Sequence, residues 1–333
     1  MAPTDYWQSL WKDYQTPANR DQYQKTDSGP AYEKAPVLDS VYIDGLLTQK
    51  VLRDLKKLKQ SKKPFFLTAG FISPHLPFNA PKKYWDLYKR SHIKQPENYN
   101  YIPENAPAMS ISNWQEMRSY DNIPKQGQVS DSIAIDLIHG YYATVSYTDA
   151  LIGKILEGLK QQALDDNTVI VLVSDHGYNL QEHTQWSKFT NYNTSTQVPL
   201  IIYNPQSKVK GSTDALTELV DIYPTLVEIC GLKAPKKQLD GSSLVPILNN
   251  TALEGKQQIL IKRTNGFTLK TNAFSYTEFI NPNGHEVMTK MLYDHRRDKD
   301  ENINVVNHPA LRDKAAELSN ILHLEYERNI KGQ

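Results

Sequence analysis

A chain of 333 residues is long enough for one large domain with an appendage, or for two domains. Hydrophobic residues make up 39% and charged residues 23%, the balance of a soluble globular protein; 38 Lys and Arg against 37 Asp and Glu leave no bulk field to recruit nucleic acid or an anionic membrane. No stretch approaches the ~20 apolar residues of a membrane span, the opening "MAPTDYWQSLWKDY" has neither the basic nor the apolar region of an export signal, and the single cysteine, Cys230, excludes an internal disulfide framework and any multi-cysteine metal site.

Residues 1–37 are polar, Tyr-rich and without a clear period, which predicts an extended arm. From Asp39 to Leu58 apolar residues recur at helical spacing and the segment ends in lysines, which suit a helix C-terminus. "PFFLTAGFISPHLPF" (64–78) reads as a short buried strand broken at Pro74. Four prolines between 91 and 130 predict a long irregular excursion, a kind of loop that is usually functional or mobile. A long amphipathic helix is expected from about Asp131 to Gln162, then a strand over Thr168 to Val173, a polar loop, the strand "VPLIIYNP" and a helix over "LTELVDIYPTLVEICGL". Helices alternating with short, continuously apolar strands argue for a sheet covered on both faces. Beyond residue 248 the runs "QILIKR", "GFTLKTNAFSYTEFI" and "HEVMTKMLYDH", followed by a charged helix, predict a small antiparallel sheet with a terminal helix.

The chemistry concentrates after the strand "VIVLV", where Ser174-Asp175-His176-Gly177 ends the apolar run. Ligand sites in open α/β sheets gather at the carboxyl ends of strands, where side chains leave the core while the backbone stays rigid. A carboxylate beside a neutral imidazole suits a divalent cation, with Gly177 permitting the turn that aims both at one ion; the alternative is a capping Asp175 and a structural His176. In the loop that follows, Lys188 can reach an anionic group as a point charge or lie solvated on the surface. His183 is either a third ligand or a hydrogen bond that pins the loop, which also carries Tyr178, Glu182 and Trp186. His75, bracketed by Pro74 and Pro77 at the end of the expected strand, has a stiff backbone and a fixed imidazole direction, fit for catalysis or for a structural role. Cys230 falls on the helical stripe Tyr223, Leu226, Val227, Cys230, which predicts a buried, inert thiol. The run "DKDENIN" (298–304) imitates a calcium loop, but Ile303 stands where glycine is needed and Pro309 where glutamate is needed, so it reads as an acidic turn.

Six ordered blocks resemble the sulfatases, and among them the iduronate 2-sulfatases: "PFFLTAGFISPHLPFNAPKKYWDLY", "YYATVSYTDALIGKILEGL", "VIVLVSDHGYNLQEHTQWSKFTNYNTSTQVPLIIY", "ELVDIYPTLVEICGL", "LDGSSLVPIL" and "MLYDHRRDKDENINV". The resemblance covers about residues 38–325. It implies an α/β fold, the alkaline-phosphatase-like sheet sandwiched by helices over 38–248, with a small C-terminal antiparallel α+β subdomain over 249–333. It further implies a calcium ion held in part by Asp175 and His176, and His75 and Lys188 as the residues that hold the sulfate group and the leaving oxygen. Tyr178, His183 and Trp186 would support the substrate loop.

The family's nucleophile, the Cys or Ser of a Cys/Ser-x-Pro-Ser-Arg segment oxidised to formylglycine, has no counterpart in these 333 residues. The chain therefore reads as the distal portion of a sulfatase, expected to act on sulfated carbohydrate and to draw its attacking group from a separate N-terminal sulfatase segment. A non-catalytic remnant that binds sulfated glycan weakly and a related phosphoesterase are the competing readings. Family members are often periplasmic, secreted or lysosomal; the chain shows no signal of its own. Early strands lie mid-sheet in this fold, so their absence predicts exposed apolar surface.

Overall fold

The computed structural model describes residues 13–234, 239–281 and 286–331, with side chains through residue 326. They gather into two compact units. The first holds the described residues up to Tyr99 together with Asn113–Thr168 and Leu180–Ser187; the second holds Asn100–Ser112, Val169–Asn179 and the described residues from Lys188 onward. Neither unit follows the expected division at residue 248.

In the first unit the helices Ile43–Ser61 and Asp131–Gln161 match the periodic segments closely. Ser130 accepts the Ile133 N–H at the start of the long helix, with Asp131 in its first turn and Lys160 in its last, as a helix dipole favours. One face of that helix, through Ala143, Tyr147 and Leu151, packs with Ala35, Tyr42, Ala80, Tyr84 and Trp85 to form the core. Two expectations fail here. Residues 17–35 are not an extended arm: Pro17–Thr26 is a helix opened by proline, and Tyr32–Ala35 is a strand parallel to Phe78–Pro81. The remaining arm residues, 1–12, lie outside the described residues. Nor is 64–77 a strand; pairing begins only at Phe78, and Phe66 is 84% exposed. The Asp44 carboxylate, at the start of the first long helix, accepts the N–H groups of Ile72 and Ser73 at 2.9 Å each, taking donors that a ladder would use. Residues 113–127 are irregular as expected, and Arg118 locks them by donating to the carbonyls of Asn113, Pro124 and Gly127 while its guanidinium lies 3.8 Å from the Trp114 ring centroid.

In the second unit the C-terminal sheet is antiparallel as expected. Its strands lie in the order Val287–Asp294, Phe274–Ile280, Gly266–Lys270, Ile259–Arg263, and Leu318 and Leu322 of the helix Arg312–Lys331 pack on Phe267, Leu269, Tyr276 and Leu292. Ile170–Val173 pairs antiparallel with Leu200–Tyr203. The expected sheet covered on both faces is not formed by this pair: Val173, Ile201 and Tyr203 are 42%, 59% and 49% exposed. Two strands give each only one laddered edge. Cys230 is exposed rather than buried, because it caps the helix Ile222–Ile229, whose Tyr223 is also exposed and whose buried residue is Thr225. In the acidic turn Asp298 accepts from Asn302 Nδ2 and from the Ile303 N–H, closing the loop on itself.

Candidate active site

The strand Ile170–Val173 delivers Asp175 and His176 to a tight turn in the second unit. The His176 N–H donates to Asp175 Oδ1 at 3.0 Å, and His176 Nε2 lies 3.6 Å from Asp175 Oδ2, so the two side chains converge. His176 Nδ1 is 2.8 Å from the Gly177 carbonyl oxygen, which can only accept and so fixes a proton on Nδ1, with Nε2 on the carboxylate side. Ser174 Oγ donates to the His176 carbonyl. Asp175 is 85% exposed, its oxygens directed to solvent rather than into the core.

Gly177 fixes this turn. Its N–H donates to the Ser195 carbonyl at 2.9 Å, and a Cβ at that position would stand 2.1 Å from the Thr194 carbonyl oxygen, so only glycine fits. The helical turn Asn193–Thr196 against which it rests is tied to fully buried Asn179, through Asn179 Nδ2 to Ser195 Oγ and Thr194 Oγ1 to Asn179 Oδ1. Asn193 in turn donates its N–H to Glu301 Oε2 at 2.7 Å and accepts from Lys270 Nζ at 2.6 Å, while His295 Nε2 is 3.0 Å from Glu301 Oε1. Burial pulls the Lys270 ammonium below the usual lysine range, opposed by the charge of Glu301. These supporting residues escaped the sequence reading; Glu301 is 108 positions from Asn193, and only the fold joins them. Tyr178 follows, half-buried. Lys188, also half-buried, places Nζ 5.5 Å from the Phe189 ring centroid.

Three candidates belong to the first unit. His183 is buried, its N–H donating to the Asn98 carbonyl at 3.1 Å and its Nε2 3.4 Å from Asn98 Nδ2, the arrangement of a loop-pinning residue. Trp186 is fully buried and packs rather than presents a surface. His75 lies between two cis peptide bonds, Ser73–Pro74 and Leu76–Pro77; its Nδ1 is 2.7 Å from the Leu76 carbonyl oxygen and its Nε2 2.9 Å from Glu116 Oε1. Glu116 went unremarked in the sequence because nothing about an isolated glutamate in an irregular loop marks it.

Among the described residues no group of three or more His, Cys, Asp and Glu side chains is arranged to hold a metal ion. Asp175 and His176 supply one carboxylate and one imidazole, whereas calcium takes six to eight oxygen ligands. The donors in this chain do not by themselves fit that ion. A cavity of about 610 Å³ in the first unit contains none of the candidate residues, and the Arg90 and Asp136 that line it are paired with each other at 2.6 Å. Among the described residues no helix is long and apolar enough to cross a membrane.

Comparison with known proteins decides the family. A model described as Sulfatase matches residues 4–232, and one described as N-sulphoglucosamine sulphohydrolase, C-terminal, matches 181–328. The chain belongs to the sulfatase family. It is 30% identical over 319 residues to a sulfatase of Formosa agariphila, covering 94% of this chain and 59% of that protein, and 29% identical over 234 residues to the iduronate 2-sulfatase of Mus musculus, covering 61% and 42%. It thus spans about half the length of these curated relatives. Among solved structures, this sulfatase chain superposes on the phosphonate monoester hydrolase SpPMH from Silicibacter pomeroyi with a TM-score of 0.77 at 22% identity, covering 98% of this chain and 68% of that one. It superposes on BT4656, solved with its substrate D-glucosamine-2-N,6-O-disulfate, with a TM-score of 0.73 at 21% identity, covering 88% and 70%. These likenesses show the fold.

Proposed function

We propose that this chain belongs to a hydrolase of sulfate esters on sulfated sugars, in which His75, Lys188, Asp175 and His176 are functional residues and the attacking group is furnished by residues outside these 333. The observation that carries the reading is the Asp175–His176 pair, converging at the end of an apolar strand on a turn that Gly177 fixes. Cleavage of a sulfate ester concentrates negative charge on the non-bridging oxygens and on the departing oxygen, so cationic donors aimed at those atoms lower the barrier. Lys188 acts as a point charge on the sulfate, and His75, its Nδ1–H held by the Leu76 carbonyl, acts as imidazolium, passing its Nε2 proton to the leaving oxygen and ending as the neutral ring. Asp175 and His176 would be two ligands of a divalent cation, calcium by family, whose remaining oxygen ligands would come from outside these residues.

Sulfated carbohydrate is the substrate class that two relatives support, the iduronate 2-sulfatase by its name and BT4656 by its bound glucosamine disulfate. Turnover of an aryl sulfate and of glucosamine 6-sulfate is the direct test, measured with the chain alone and with a sulfatase segment carrying Cys-x-Pro-Ser-Arg in its oxidised form. Activity is expected only in the mixture. Turnover by the chain alone refutes the account of the nucleophile, and an inert mixture that still binds sulfated sugar identifies a binding protein instead. In the active mixture Lys188→Ala is expected to lower kcat ~100-fold or more, the scale of losing one charged transition-state contact; an unchanged rate removes Lys188 from the site.

A further inference from the structure

The surroundings of His75 engage both ring nitrogens. Asp44 holds Ile72 and Ser73 by their N–H groups, and the His75 N–H closes a turn onto the Ile72 carbonyl at 2.8 Å, so the backbone ahead of the ring is fixed. Nδ1 meets the Leu76 carbonyl oxygen, which can only accept, and therefore carries a proton. Nε2 lies 2.9 Å from Glu116 Oε1, within hydrogen-bonding distance. Glu116 is itself aimed: it stands between Trp114, 3% exposed, and Met117, fully buried, in the loop that Arg118 ties to three carbonyls. A carboxylate thus sits against the ring nitrogen opposite the one held by the Leu76 carbonyl.

A carboxylate and a sulfate ester compete for such a nitrogen. Both are anions that accept an N–H bond, and they repel one another in the same space. We propose that Glu116 is a specificity-determining residue: an internal anion on His75 Nε2 that a sulfate oxygen must displace before it reaches the ring. This rests on the reading of His75 as the residue that faces the sulfate group. Displacement costs every oxyanion the same free energy, so at a given concentration a sulfated sugar engaged also through its ring still occupies the site where a free oxyanion does not.

The test uses the whole chain, ring-¹⁵N-labelled at histidine, with inorganic sulfate as the probe. In the unsubstituted chain the His75 Nε2–H resonance is expected at the low field of a hydrogen bond to a carboxylate, and to resist sulfate. Glu116→Ala should remove that low-field position and make the resonance respond to sulfate, with an apparent Kd at least tenfold lower. Glu116→Gln, which keeps the side-chain shape and drops the charge, should fall between the two and serves if the alanine variant does not fold. Sulfate binding that is unchanged or weaker in both variants overturns the proposal, as does a His75 resonance indifferent to Glu116→Gln without sulfate. Should the variants gain sulfate while His75→Ala leaves aryl sulfate turnover in the complemented mixture intact, the catalytic reading of His75 fails and the competition stands.

Discussion

Gly177 joins the turn that carries Asp175 and His176 to its support through an absence of atoms. Gly177→Ala places a methyl group 2.1 Å from a backbone carbonyl oxygen that cannot swing aside as a flexible side chain would. The expected cost is about 1–3 kcal/mol of overpacking, read as a lowered denaturation midpoint together with loss of the Asp175–His176 geometry; a variant as stable as the parent would show that the turn can open. The sequence made this residue legible, since a glycine directly after an acid and a histidine at a strand end implies a sharp turn. It did not reveal Asn193, Lys270, His295 or Glu301, which carry no local signal and meet only through tertiary structure. Glu116 was hidden for the same reason.

Among the elements, two buried carboxylates respond to pH in opposite directions. Asp13 accepts the Ile43 N–H at the start of a long helix, and burial pushes its carboxyl up to about 6, partly opposed by that bond and one from Gln15. Its folded value exceeds its ordinary 3.8, so the ionised group costs stability above pH 6 and the cost is relieved as pH falls toward 3.8. Asp13→Asn should therefore stabilise the first unit by about 1–3 kcal/mol at pH 8 and have little effect near pH 4, as chemical denaturation at the two pH values would show. Glu278, fully buried in the C-terminal sheet, is pushed up by burial but brought below the usual glutamate range by bonds from Ser319, Tyr276, His323 and Lys290. Its stabilisation is complete above its ordinary value of 4.5 and is lost as pH falls through the lower folded value. Glu278→Gln should flatten that acid limb, measured by hydrogen exchange in the strand Phe274–Ile280; an unchanged limb would exclude this carboxylate as its source. The long helices and the antiparallel sheet were readable because each repeats an apolar period. The helix Pro17–Thr26 and the strand Tyr32–Ala35 were not, for the helix buries no residue and the strand buries Glu33 against polar partners from Gln15, Thr16, Asn19 and Tyr42.

At the scale of the whole molecule, exposed apolar side chains dominate the expectation for behaviour in solution. Val173, Ile201 and Tyr203 on one strand pair, and Leu219, Val220 and Tyr223 nearby in sequence, are each more than a third exposed in the second unit. A strand pair with open apolar faces and edges invites association. The chain alone should sediment as a concentration-dependent mixture, and Ile201→Lys should shift it toward monomer; a monodisperse monomer with a cooperative melt would contradict this. Family membership was legible in the order of six blocks rather than in any one of them.

The bond from Asn193 to Glu301 sets a minimum on what can be cut away. A fragment ending before residue 301 would keep every letter of Ser-Asp-His-Gly and still lose the carboxylate that meets the amide of the turn beneath it. The C-terminal sheet, through Lys270, and the loop that follows it, through Glu301, are therefore a foundation for the acid–imidazole pair, and no excerpt of this chain that stops short of residue 301 can serve as a stand-in for it.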